Sequence, residues 1–157
     1  TLCNLVGDTV KMKSDRVEII PEILDCATSG QRFGGISWRV FDVVHSLEMV
    51  ASCRDNHTAL AKTDVARLLA KILLEWKPGM YDKHFTRSKA QSLPVVEKVC
   101  NVVMQLTGNE EAKKKLMEVD MKRSVDNLIK SENFVAQRLS KKISQSLKDL
   151  SSSDTSL

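Results

Sequence analysis

A helical unit that recurs along the chain limits this sequence more than any other feature. It is clearest between Leu93 and Leu150. Val95, Val99, Val102, Val103 and Leu106 recur at helical spacing and form an apolar stripe one face wide. Gly108-Asn109 ends that helix. A short amphipathic helix follows, with Ala112 and Leu116 inward and Lys113, Lys114 and Lys115 outward. Asp120 is placed to cap the next helix, whose apolar face is Met121, Val125, Leu128 and Ile129. A third helix carries Val135, Leu139, Ile143, Leu147 and Leu150. No one of these helices can bury its stripe alone, so each needs neighbours. The same order of parts runs through SLEMVASCRDNHTALAKTDVARLLAKILLEW, and TLCNLVGDTV reads as the tail of one more unit. The equivalent helix ends, Leu5, Val50, Leu106 and Leu150, lie 45, 56 and 44 residues apart.

In chain order, residues 1–7 read as the end of a helix that Gly7 stops, so the chain reads as a piece of a longer protein. Asp8 to Arg16 predicts a short helix. A longer one starts at Ile19 to Leu24, with Pro21 in its first turn, where the missing N–H is no loss. TSGQRFGG, residues 28–35, is a loop; it lacks the Lys-Ser/Thr ending and preceding strand of a phosphate cradle. Ile36 to Ala51 predicts the third helix of this unit, with Val40, Phe41, Val44, Leu47 and Val50 facing in. Residues 54–61 form the next short helix and 63–76 an apolar one buried on more than one side. Lys77 to Ser92 is a basic insertion whose Tyr81 and Phe85 are expected to pack onto the stack. Residues 151–157 form a flexible polar tail. Helical periodicity in every apolar run outside the loops predicts an all-α chain with no sheet.

A period in the forties with three helices per unit resembles armadillo repeats, with HEAT repeats as the rival pattern. The units are a partial repeat at 1–7 and repeats at about 8–53, 54–107 (with insertion 77–92) and 108–150. The resemblance implies a right-handed α-superhelical solenoid whose third helices line a concave groove. In the family's peptide-binding members an asparagine near the end of each third helix pairs with the ligand backbone, and a tryptophan four residues earlier packs on ligand side chains. Here the asparagine position falls on Asn4, Met49, Gln105 and Asp149, and the tryptophan position on His45, Asn101 and Gln145. Only Asn4 keeps the family residue, which argues against transport-receptor-type capture of an extended basic peptide.

Positions i, i+4, i+7 and i+11 of a helix share one stripe. The stripe facing the groove is therefore Trp38, Asp42, His45 and Met49 in one repeat, Pro94, Lys98, Asn101 and Gln105 in the next, and Arg138, Lys142, Gln145 and Asp149 in the last. Trp38 and Met49 would form an apolar anchor in an otherwise polar row. The candidate partner-binding residues are Trp38, His45, Asn101, Gln105, Arg138 and Lys142. Residues 1–76 carry nine basic and ten acidic side chains, whereas 77–157 carry fifteen and ten, so the partner expected at the C-terminal end is acidic or amphipathic.

Other functions find less support in the residues. His45, His57 and His84 lie in three separate contexts, with no serine or cysteine beside them in a recognisable signature and no carboxylate pair. No enzyme, cofactor or metal site is therefore expected. Cys3, Cys26, Cys53 and Cys100 form no CxxC pair and read as reduced packing residues of an intracellular protein, cytoplasmic or nuclear. No apolar run approaches the roughly 20 residues that span a bilayer. The alternative function is a basic C-terminal face, around Lys113, Lys114, Lys115, Lys122 and Arg123, that binds nucleic acid or another acidic partner; interleaved acids and the lack of an aromatic platform argue against a phosphate track. Self-association through the N-terminal end is a further expected mode. The ending Asp154-Thr155-Ser156-Leu157 matches loosely the tails that PDZ domains take as an added strand.

Overall fold

A computed structural model describes residues 12, 14–77, 80–81, 94–130 and 134–148. The expectations placed on Asn4, His84, Phe85, Asp149 and the 151–157 tail lie outside these residues. Eight α-helices and one small hairpin make up the described chain.

Helix α1 spans Ser14–Ser29 and buries Val17, Ile20, Leu24 and Ala27 along one face. Pro21 sits inside it, not in its first turn. A proline there removes a backbone donor and crowds the preceding turn, at a cost of about 3 kcal/mol. Burial of the 17-20-24-27 face on both sides of Pro21 offsets that cost, which is why the helix starts earlier than the sequence predicts. Gly30 then takes φ +72°, and the Gln31 N–H donates to the Cys26 carbonyl at 2.8 Å, closing a Schellman end. Thr28 and Ser29 hydroxyls donate to the Asp25 carbonyl at 2.9 and 2.8 Å.

The loop expected at 28–35 folds instead as part of a hairpin. Strand β1, Arg32–Phe33, pairs antiparallel with β2, Ile36–Ser37. Gly34 and Gly35 take φ +58° and +77°, the signs a two-residue type I′ turn needs at both central positions. The expectation of no sheet therefore fails at these four residues. Helix α2 spans Val40–Ser52 and starts four residues later than predicted, because Ile36 and Ser37 belong to the hairpin and Arg39 is extended. It buries Val40, Val43, Val44, Leu47, Val50 and Ala51.

A 3₁₀ turn at Arg54–Asn56 leads into α3, His57–Ala61, and then α4, Val65–Glu75. Helix α4 buries Val65, Ala66, Leu68, Leu69, Ala70, Ile72 and Leu73, the wide arc read from the sequence. Met80 and Tyr81 pack against the core beyond it, as expected of Tyr81. Helix α5, Pro94–Leu106, buries Val95, Val99, Val102, Val103 and Leu106. Helix α6 spans Glu110–Glu118, α7 Met121–Ile129 and α8 Phe134–Lys148. Asn109 caps α6 by accepting from the Ala112 N–H at 3.0 Å, and Asp120 caps α7 by accepting from the Arg123 N–H. Lys113, expected outward, is buried, with its ammonium reaching Glu110 at 3.2 Å at the surface end.

The helices pack in steps of three. Helix α2 lies on α5 and α5 on α8; α1 lies on α4 and α4 on α7; α3 lies on α6. One hydrophobic cluster runs through all of them, from Val17 to Ile143. Helix ends are satisfied across the chain as well. Asn56 donates to the Val50 carbonyl at 2.9 Å, and its own oxygen accepts from the Met12 N–H at 2.9 Å. The His57 Nε2 donates to the Ala51 carbonyl at 2.6 Å, so α2 ends under two side chains of the following turn. Asn127 of α7 donates to the carbonyls of Leu73 and Leu74 at 3.1 and 3.0 Å and closes α4 in the same way.

Candidate functional site

Packing in steps of three sets α2, α5 and α8 side by side, and five of the six candidate residues lie on these helices. His45 is on α2, Asn101 and Gln105 are on α5, and Arg138 and Lys142 are on α8. Trp38 is the exception. It precedes α2 in extended chain and is half-buried, with its Nε1 donating to the Phe33 carbonyl at 3.3 Å. It braces the hairpin and does not share the helical stripe of His45, because the chain is not helical at 36–39.

The seam between α2 and α5 is organised by Glu48, a residue off the stripe read from the sequence. Its carboxylate accepts from Lys98 Nζ at 2.6 Å and from Asn101 Nδ2 at 2.7 Å. Burial pulls the Glu48 pKa up; the hydrogen bonds from Lys98 and Asn101, and the charge of Lys98, outweigh it and hold the carboxyl below its ordinary value. His45 Nδ1 approaches Glu48 at 3.5 Å, the outer limit of a hydrogen bond, and is the smallest of the causes that lower the Glu48 pKa. Phe41 stacks on His45 with ring centroids 6.0 Å apart, and Lys98 Nζ lies 5.8 Å from the centre of the Phe41 ring. Phe41, expected inward, is half-buried in this seam.

Glu48, Lys98 and Asn101 thus tie α2 to α5, and Asn101 stays exposed while bonded. Gln105 is different. Its Oε1 is buried and has no hydrogen-bond partner among the described residues, so its acceptor is not presented to a ligand. Met104, one residue earlier, is exposed beside Asn101. On α8, Arg138, Lys141 and Lys142 are exposed, and the helix contains no acidic residue. Lys141 escapes the i, i+4, i+7 reading, yet it lies on the same face as Arg138 at i+3. Glu48 has no signal in its own segment that could have marked it: its partners lie 50 and 53 residues away.

Burial, with the Glu97 charge as a smaller cause, pushes the Cys100 thiol up to about 12, far from a reactive thiolate. His57 is buried and committed to a carbonyl. Among the described residues no group of three His, Cys, Asp or Glu side chains could hold a metal ion, and no described helix is long and apolar enough to cross a membrane. The basic face read from Lys113 to Arg123 is thinner than its sequence suggests. Lys113 is buried and exposed Lys115 is paired with Glu118 at 2.7 Å, which leaves Lys114, Lys122 and Arg123 exposed with no ion pair among the described residues. No family model, curated protein or solved structure matches the chain.

Proposed function

We propose that this chain is an armadillo-like α-solenoid that serves as a non-enzymatic protein-interaction module. Its repeats are about 8–53, 54–107 and 108–150, and its third helices α2, α5 and α8 line a groove for a partner segment. The observation that supports this most is the step of three in the packing, which puts equivalent helices in continuous rows. The segment bound is acidic and carries apolar residues. Exposed Arg138, Lys141 and Lys142 would meet its carboxylates, and exposed Met104 beside Asn101 its apolar positions. The α2 end of the row is a brace, since Glu48 already neutralises Lys98. Free thiols at Cys26, Cys53 and Cys100 fit a reducing intracellular compartment.

A display selection of random peptides against the immobilised chain tests the reading. Enriched peptides should carry Asp or Glu with apolar residues between them. Their affinity should fall at least about tenfold on Arg138→Glu/Lys142→Glu, with a weaker salt dependence. Peptides that bind the variant and the parent alike would put the interface elsewhere. Random RNA that binds at moderate salt in the same place would favour the nucleic-acid alternative.

A further inference from the structure

Two exposed faces on this molecule complement each other. On α1, Glu18, Glu22 and Asp25 stand at i, i+4 and i+7, all exposed, with Ile19 beside them 43% exposed. No ion pair among the described residues engages any of the three carboxylates. They wall a cleft of about 400 Å³ floored by Pro21 and Leu68. Across it stand Lys62, Asp64 and Arg67, with Arg67 paired to Asp64 at 3.0 Å, so four carboxylates face two cations and the cleft is acidic on balance. On α8, Arg138, Lys141 and Lys142 are exposed and equally unpaired among the described residues, and Phe134, one turn before Arg138, is 76% exposed. Each face is thus three like charges beside one exposed apolar side chain, and the signs are opposite.

These faces cannot meet within one chain. Helix α1 packs on α2, α3 and α4, whereas α8 packs on α5 and α7. We infer that a second copy of this chain is a partner of α8, and that it docks through its own acidic α1 stripe. The inference rests on the reading of α8 as a partner-binding face, and it names the occupant. The contact is heterologous: each copy keeps a free α1 and a free α8, so association is head to tail and open-ended. It is led by exposed charges, so it is reversible and sensitive to salt.

Sedimentation velocity of the whole chain over a range of concentrations tests it. At low salt the average mass should climb with concentration, and salt near 0.5 M should weaken the association at least about tenfold. Glu18→Lys/Glu22→Lys and Arg138→Glu/Lys142→Glu alter only exposed positions, and circular dichroism checks that each variant keeps its helices. Each alone should stay monomeric. Mixed in equal amounts they should associate again, because the reversed α1 stripe then meets the reversed α8 stripe. A wild-type mass independent of concentration at low salt overturns the inference. So does association that persists in either variant alone, or a mixture that stays monomeric. If peptides from the display selection still bind α8 while the chain stays monomeric, this inference fails and the proposed function stands.

Discussion

Glu48 shows how one side chain can fix the relation of two helices. It holds Lys98 and Asn101 of α5 from its place on α2. Glu48→Gln should lower stability by about 1 kcal/mol, since it removes the charge from a pair that is only partly shielded from water. The pH dependence has a definite sign. The folded carboxyl lies below its ordinary value of 4.5, so the ionised form is favoured in the folded state. Its contribution is complete above about pH 4.5 and is lost as the pH falls through the folded pKa. The difference in thermal midpoint between wild type and Glu48→Gln should therefore shrink between pH 7 and pH 3. A difference that grows on acidification would contradict the assignment. Gln105 makes the converse case. Its buried acceptor has no partner among the described residues, so Gln105→Met should be neutral or stabilising by up to about 1 kcal/mol, with peptide affinity unchanged. A loss of affinity with stability intact would restore Gln105 to the binding set. Neither residue's role was legible in the sequence. Stripe membership follows from helical period, but the direction of a side-chain amide and a partner 50 residues away do not.

At the scale of elements, the long apolar helices were legible because burial on one face leaves a period in the sequence. Val95, Val99, Val102, Val103 and Leu106 are all buried, and the Asp120 cap stands where its spacing put it. What failed were places where local signals compete with packing. Pro21 reads as a start signal, yet the buried face on both sides of it carries the helix through. Ile36 and Ser37 fall inside the expected helix span, yet two glycines with positive φ turn the chain into a hairpin first. Lys113 reads as surface by residue type, but its alkyl stem is long enough to be buried while its ammonium reaches Glu110. Two substitutions separate these influences. Gly30→Ala should cost about 1–2 kcal/mol although a Cβ there meets nothing within 4 Å, because the cost is the left-handed backbone alone. Pro21→Ala should raise stability by about 1–3 kcal/mol by restoring the missing donor. Denaturant unfolding gives both values. A Pro21→Ala variant less stable than wild type would mean that the ring's packing outweighs the lost hydrogen bond.

At the scale of the molecule, one hydrophobic cluster threads every helix, so a deletion at its centre should be felt throughout. Leu69 is fully buried, and Leu69→Ala should cost about 2–5 kcal/mol. A measured loss below about 1 kcal/mol would mean that α4 is not central. Equivalent helices in steps of three are proposed to form one binding row. Amide NMR shifts during titration with a peptide enriched by display test it most directly. In the Glu18→Lys/Glu22→Lys background, which keeps the chain monomeric, the largest changes should fall on α5 and α8, around Asn101, Arg138 and Lys142, with α1, α4 and α7 little affected. Changes centred on the α1–α4–α7 row, with the α5–α8 face silent, would contradict it.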